Sequence, residues 1–172
     1  MKIILQIIFL FSIVSCKTDS LILVENYNQT SKYSPLGYTS GYVSQKADTI
    51  IPLDKYERCF TKKFKYYAIV LDSKRGLIGI DRNENKLFNA VWKGDGSPLE
   101  ESDGMILITE DGKYGYANFK GEIVIQPIYS CAHSFYKGKA KVSFDCQESN
   151  DEHFKWDMND SFYIDKKGNK IK

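Results

Sequence analysis

The chain is poor in the residue types that most often carry chemistry. Its 172 residues include only 2 His, 4 Cys, 4 Pro and 3 Met, against 12 Tyr and 10 Phe, and this aromatic surplus favours β-structure. Charge of one sign is also lacking, because 24 Lys and Arg face 22 Asp and Glu. The sequence therefore has neither the basic footprint of a nucleic-acid-binding protein nor an acidic tail. Its length indicates one domain, or one domain plus a tail.

Motifs for catalysis are lacking as well. The sequence has no nucleophile motif and no glycine-rich phosphate loop, and its paired carboxylates lie in polar connections. We therefore expect no enzyme, no cofactor and no metal. A metal-like set does exist, but it lacks the compact ligand pairs of structural zinc sites, so we interpret its members as unrelated residues. The set is Cys131, His133, Cys146 and His153.

Long hydrophobic runs are absent except for one at the N-terminus, Ile3 to Val14, which follows Lys2. The run is shorter than the roughly 20 residues that a membrane-spanning helix needs, and it has the length of a signal-peptide core. It ends in Ile13-Val14-Ser15-Cys16, which resembles the lipobox of bacterial lipoproteins. The resemblance implies cleavage before Cys16 and acylation of its thiol. The alternative is an ordinary signal peptide in which Cys16 is incidental.

This interpretation divides the chain into a signal peptide (1–15), a lipidated Cys with a polar tether (16–37) and a β domain (38–172). Leu21 to Val24 interrupt the tether and form either a short edge strand or extended chain. Without the signal peptide, 23 basic and 22 acidic side chains leave a balance of +1, so the lipid alone must hold the protein at a membrane. We expect a membrane-anchored lipoprotein of the bacterial cell envelope, on the periplasmic side or at the cell surface.

The rest of the chain repeats with a period near 37 residues. Val43, Ile80, Ala117 and Ile164 form one column of equivalent positions, and Ala68, Met105 and Ala140 form another. Each copy is predicted to be a three-stranded meander with turns at signals such as Asp111-Gly112, and with a third strand that stops at Pro127. The predicted strands lie at 41–44, 49–52, 66–71, 76–81, 86–91, 105–109, 114–119, 122–126, 139–145 and 161–165, with no helix longer than two turns.

The third copy resembles the WG-repeat family. The resemblance rests on Tyr114-Gly115, Gly121, Ile125-Gln126-Pro127-Ile128-Tyr129, Ala132-His133-Ser134-Phe135 and Gly138-Lys139-Ala140-Lys141-Val142. It implies an all-β array of about three to four antiparallel meanders and a binding or structural role, and it carries over no catalytic residues. The chain departs from the family pattern in three ways. No Trp precedes a glycine, the second copy lacks Pro-x-Tyr, and residues 145–160 are inserted before the last copy.

Two glycines and three cysteines have expected structural roles. We expect Gly121 to hold a positive φ in a hairpin turn, and Gly115 to let an aromatic side chain of the neighbouring strand lie over the backbone. For Cys131 and Cys146 two alternatives stay open, a disulfide or no bridge at all. Cys59 falls in a core column and is interpreted as a small buried hydrophobe.

The leading functional interpretation is a non-catalytic binding or scaffold lipoprotein whose repeat surface contacts a protein or glycan, with no nucleic acid involved. The alternative is an inhibitor or immunity-type lipoprotein that neutralises one enzyme or toxin. Binding energy at such surfaces concentrates in a few aromatic and Arg residues. The candidate partner contacts are therefore Trp92, Tyr136 and Trp156, unless Trp92 and Trp156 simply plug the open ends of the array.

Overall fold

The computed structural model describes residues 19–27, 37–148 and 156–171, and this part of the chain is all-β, as the sequence predicts. No helix occurs within these ranges, so none of them offers a helix long and apolar enough to cross a membrane. The strands are β1 (Leu21–Asn26), β2 (Thr39–Val43), β3 (Thr49–Ile51), β4 (Arg58–Cys59), β5 (Lys63–Phe64), β6 (Ala68–Asp72), β7 (Gly76–Ile80), β8 (Lys86–Ala90), β9 (Met105–Glu110), β10 (Lys113–Asn118), β11 (Ile123–Tyr129), β12 (Cys131–Ala132), β13 (Ala140–Ser143), β14 (Asp145–Glu148), β15 (Trp156–Asn159), β16 (Phe162–Ile164) and β17 (Lys170–Ile171).

Four antiparallel three-stranded meanders follow one another within the described residues. Unit 1 is β1 to β3, unit 2 is β6 to β8, unit 3 is β9 to β11, and unit 4 is β13, β16 and β17. Units 2 and 3 join through β8 and β9 into a seven-stranded sheet of order β11-β10-β9-β8-β7-β6-β4. Unit 1 belongs to the sheet β3-β2-β1-β5, and unit 4 belongs to the last sheet, β12-β13-β16-β17. The β14–β15 hairpin is inserted inside unit 4.

One turn recurs between the second and third strands of all four units. A polar side chain accepts hydrogen bonds from the backbone N–H groups two and four residues later, at 2.8 to 3.1 Å. The residue three positions later has a positive φ, and it is Gly121 (85°) in unit 3, as expected. This local bonding explains why turn residues show the period so clearly in the sequence. The four capping side chains are Ser44, Asp81, Asn118 and Asp165.

A buried core separates each pair of consecutive units. Strand β9 shows how, because successive side chains point to opposite faces of a sheet. Ile106 and Ile108 pack into the core shared with unit 2, whereas Met105 and Leu107 pack into the core shared with unit 4. Units 1 and 2 enclose the remaining core, which includes Tyr42, Phe64 and Val70. The units therefore stack in layers, and no single meander buries its faces alone.

The structure corrects two boundaries. Residues 21–26, assigned to the tether, form β1, which lies between β2 and β5 rather than at an edge, with Leu21 buried in the first core. The third strand of unit 3 does not stop at Pro127 but runs to Tyr129. A register shift against β10 lies between the pairs Tyr116–Ile125 and Tyr114–Tyr129. Pro127 falls in this irregularity of an edge strand, and both bulges and edge strands tolerate a residue that has no N–H to donate.

The expected role of Gly115 is also wrong in its detail. A Cβ atom there would lie 2.4 Å from the Ile125 carbonyl oxygen and 2.6 Å from the Pro127 nitrogen, so the backbone of β11, and not an aromatic ring, covers this glycine. Gly41 meets the backbone of Ile51 and Pro52 in the same way. An aromatic ring does cover a glycine in unit 2, where Phe88 lies over Gly79.

Candidate functional site

Trp92 belongs to a row of aromatic and cationic side chains, which we call the aromatic strip. Its ring meets Phe60 edge to face at 6.0 Å between centroids. The Arg58 guanidinium lies 5.2 Å from the ring centroids of both Phe60 and Tyr38, and Tyr38 contacts Tyr27 at 5.3 Å. Trp92 is 42% exposed, and Arg58 and Tyr27 are exposed as well. The strip thus presents the residue types that dominate binding energy at protein surfaces.

Glu25 anchors one end of the strip. The phenol of Tyr38 donates a hydrogen bond to one Glu25 carboxylate oxygen at 2.8 Å, and the phenol of Tyr27 donates to the other at 3.3 Å. Partial burial, followed by the hydrogen bond to Glu25, raises the pKa of Tyr38. A cavity of about 520 Å³ adjoins the strip, a volume in the range of ligand sites. It is lined by Ile22, Leu23, Glu25, Arg58, Cys59, Phe60, Lys62 and Lys63.

The β14–β15 hairpin forms a second candidate site with unit 4. A disulfide between Cys131 and Cys146, with 6.3 Å between Cα atoms, ties the hairpin to the last sheet and decides the alternative left open by the sequence. The hydroxyl of the fully buried Ser143 contacts the carbonyl oxygens of Asp145 and Asn159, one on each strand of the hairpin. These contacts hold the hairpin beside the outer face of the last unit.

Between hairpin and sheet lies a space of about 580 Å³, here named the hairpin groove. Tyr136, predicted as a partner contact, lies on its wall with 67% of its surface exposed. Partial burial, followed by the charge of Lys141, lowers the pKa of His133. The groove is lined by His133, Ser134, Tyr136, Lys139 and Lys141 with Tyr163 on the sheet side, and by Asp157 and Met158 on the hairpin side.

The remaining sequence-predicted residues have simple placements. Trp156 begins β15, opposite Glu148, and its side chain lies outside the described part of the structure. Cys16 and His153 lie outside the described residues too. Cys59 is buried, as interpreted, and burial raises the pKa of its thiol to about 12. Among residues 19–27, 37–148 and 156–171, no three His, Cys, Asp or Glu side chains are arranged to hold a metal ion.

One comparison with known proteins bears on the repeat. The family model of the WG containing repeat matches residues 114–145. This match supports the resemblance of this segment to the WG-repeat family. The matched segment spans most of β10, all of β11 to β13 and the first residue of β14. It therefore includes Gly115, which the β11 backbone covers, and β13, the first strand of unit 4. No curated protein and no solved structure matches the chain significantly.

Sequence reasoning missed most of the residues around Trp92 and Tyr136. Arg58 and Phe60 stand on either side of Cys59, and their residue types do not recur at the corresponding positions of the third copy, Cys131 and His133. The position of Tyr163, in contrast, could have been recognised from the repeat. It stands two positions before the turn-capping Asp165, just as Tyr116 stands two positions before Asn118 and Tyr42 two positions before Ser44. Its equivalents are fully buried, whereas Tyr163 is 42% exposed.

Proposed function

We propose that this protein is a membrane-anchored, non-catalytic binding lipoprotein of the bacterial cell envelope, and that a macromolecular partner docks on the aromatic strip. The observation that carries the proposal is the strip itself, a continuous set of ring and cation contacts on the surface. The WG-repeat match supports a repeat-based binding or scaffold role. Rigid aromatic side chains lose little conformational freedom on binding, which suits them to such a surface.

The strip also has the organisation expected of an interaction site. Contacts with Phe60 and Tyr38 restrict the Arg58 side chain in the free protein, so less rotamer freedom is lost when a partner binds. Trp92 closes the other end and projects from the connection after unit 2. The adjoining cavity can receive a partner side chain at the centre of the contact, where binding energy concentrates.

Anchoring and export rest on other observations. The apolar run that ends in Ile13-Val14-Ser15-Cys16 supports acylation of Cys16. The Cys131–Cys146 disulfide supports export, because disulfides persist beyond the cytoplasmic membrane and are rare inside. Two or three acyl chains would hold the protein stably, whereas one chain binds a bilayer only weakly.

We predict that Cys16 carries the lipid. In cells fed an alkyne fatty acid, the wild-type protein should take up label and sediment with membranes, and Cys16→Ser should lose both properties because no acceptor thiol remains. Ser12→Ala, which precedes the four residues of the motif and leaves them intact, is the matched control and should behave as wild type. Equal membrane retention with no label on any of the three proteins would exclude lipid anchoring.

We predict that Trp92→Ala weakens capture of the envelope partner without unfolding the protein. The full chain, solubilised in a non-ionic detergent and immobilised, is exposed to envelope extract, and captured proteins and glycans are quantified. Loss of a half-exposed hot-spot side chain should lower capture about 30-fold, which corresponds to about 2 kcal/mol. The melting temperature should change little, because Trp92 is 42% exposed.

Phe119→Ala is the matched control for Trp92. Phe119 is 50% exposed and meets Tyr66 edge to face at 5.9 Å, so Phe119→Ala removes a comparable surface ring contact that involves no residue of the strip. Capture that falls for Trp92→Ala but not for Phe119→Ala supports the strip. Intact capture together with a large loss of thermal stability in Trp92→Ala would instead show that Trp92 plugs the array, and measured turnover of a substrate would overturn the binding role.

A further inference from the structure

Units 1, 3 and 4 each have a tyrosine at the same position of the second strand. In units 1 and 3 a phenylalanine of the same chain covers this tyrosine, whereas in unit 4 the tyrosine lines an open groove. In unit 3 the ring of Tyr116 is covered edge to face by Phe135, with 4.7 Å between centroids, and Tyr42 of unit 1 is covered by Phe64 at 5.2 Å. Tyr163 holds the equivalent position in unit 4, yet it lines the hairpin groove. The protein's own repeats therefore indicate what this tyrosine can bind, namely an aromatic ring presented edge to face.

The residues around Tyr163 are cationic, whereas those around the equivalent Tyr116 are apolar. Tyr116 stands opposite Leu107 in its sheet, whereas Tyr163 stands opposite Lys141. The ammonium of Lys139 lies 4.7 Å from the Tyr163 ring centroid. Neither lysine forms an ion pair with another side chain in the part of the chain that the structure describes.

The opposite wall adds an apolar surface and one negative charge. Met158 offers a thioether, which packs well against aromatic rings, and Asp157 is the acidic member of the groove. The two lysines outweigh this single carboxylate, so the side chains that line the groove are cationic overall. Complementarity therefore requires negative charge on the ligand.

Recognition in the groove must come from side chains. Strand β13 is paired on both sides, with β12 and β16, and β16 is paired with β13 and β17. No strand edge is free at Lys141 or Tyr163, which excludes binding by addition of a peptide strand there. A partner must insert a side chain into the groove.

We propose that the hairpin groove is a second binding site, separate from the aromatic strip, for a protein segment that carries an aromatic side chain flanked by carboxylates. The aromatic ring packs edge to face on Tyr163 and against Met158, as Phe135 packs on Tyr116 inside the protein. The flanking carboxylates pair with the ammonium groups of Lys139 and Lys141.

The test is fluorescence anisotropy of a labelled peptide, one phenylalanine between two pairs of glutamates, titrated with the full chain in non-ionic detergent at low salt. We expect saturable binding that weakens with salt, about five- to tenfold weaker binding when the phenylalanine is replaced by alanine, and no binding when lysines replace the glutamates. Tyr163→Ala should weaken binding about fivefold, and the double variant Lys139→Ala/Lys141→Ala about tenfold.

Tyr66→Ala and Lys65→Ala are the matched controls. Lys65 lies 4.9 Å from the ring centroid of Tyr66, which is 36% exposed, so the pair imitates Lys139 and Tyr163 away from the groove. Both controls should bind within about twofold of wild type. The changes made in the peptide do not touch the protein, so they remain decisive even if a groove variant unfolds.

Several results would overturn the proposal. Two results would show non-specific charge attraction: equal affinity for the peptides with and without phenylalanine, or an equal loss of affinity in the Tyr66 and Tyr163 variants. Preference for an oligosaccharide of uronic acids over the peptide would assign a glycan instead. A dimer in sedimentation velocity that Tyr163→Ala dissociates would show that a second copy occupies the groove. Each result is independent of capture at Trp92, so this proposal and the proposed function fail separately.

Discussion

Gly115→Ala is expected to destabilise the protein by about 3 kcal/mol or more, the upper end of overpacking effects. The added Cβ would lie 2.4 Å from the carbonyl oxygen of Ile125 and 2.7 Å from the Gln126 carbonyl carbon. These are backbone atoms of a paired strand and cannot rotate away as a side chain could. To make room, β11 would have to separate from β10 beside Tyr116, which is fully buried in the core between units 3 and 4.

Chemical denaturation of the variant and of a matched glycine variant measures this effect. Gly94→Ala adds the same methyl group where no atom lies within 4 Å and where the glycine has no positive φ. Its unfolding free energy should stay within about 0.5 kcal/mol of wild type. Equal stability of the two variants would mean that β11 does not cover Gly115 closely in solution.

Removing the disulfide is the second change with a large expected effect. Cys131 and Cys146 are 15 residues apart, and in the chain-entropy account closing such a loop stabilises a protein by about 3 kcal/mol. Cys131→Ala/Cys146→Ala should therefore lower the melting temperature by about 6 to 12 °C for a chain of this size. Alanine suits the buried Cys131 position because it leaves no unpaired polar group there.

Dithiothreitol provides the internal control for this prediction. It should lower the melting temperature of wild type to that of the double variant and leave the double variant unchanged. Cys59→Ala, which removes a buried free thiol, should remain as sensitive to the reductant as wild type. A wild-type melting temperature that does not respond to dithiothreitol would show that no bridge forms.

The features predicted well from the sequence are those that depend on interactions between residues close together in the chain. The turn at Asn118 to Glu122 is made by hydrogen bonds between residues at most four apart, and the Asp111-Gly112 hairpin needs only two residues of positive φ. The strand starts at Ala68, Met105 and Ala140 follow from the same local periodicity. These signals recur along the chain, so the sequence alone is enough to predict the period and the all-β class.

The predictions that failed depend on contacts between distant segments. Leu21 begins an apolar stretch for which the sequence allows either a short edge strand or extended chain, but pairing with β2 and β5 places it in an inner strand. Pro127 reads as a strand end, but an irregular register allows β11 to continue past it. What covers Gly115 is decided by the path of a different strand, and spacing along the chain carries no information about that path.

By itself, the sequence determined the repeat, the all-β class and the recurring turns, and it contains the candidate lipobox, because each of these features depends on a few neighbouring residues. Only the tertiary structure decided where binding surfaces form. Trp92 becomes part of a strip because Phe60 packs against it and Arg58 packs on Phe60, and these three residues are distant in the chain. Tyr163 faces a groove because the inserted hairpin, held by Cys131 and Cys146, stands over the outer face of the last unit. Side chains far apart in the chain meet there only after the units have stacked.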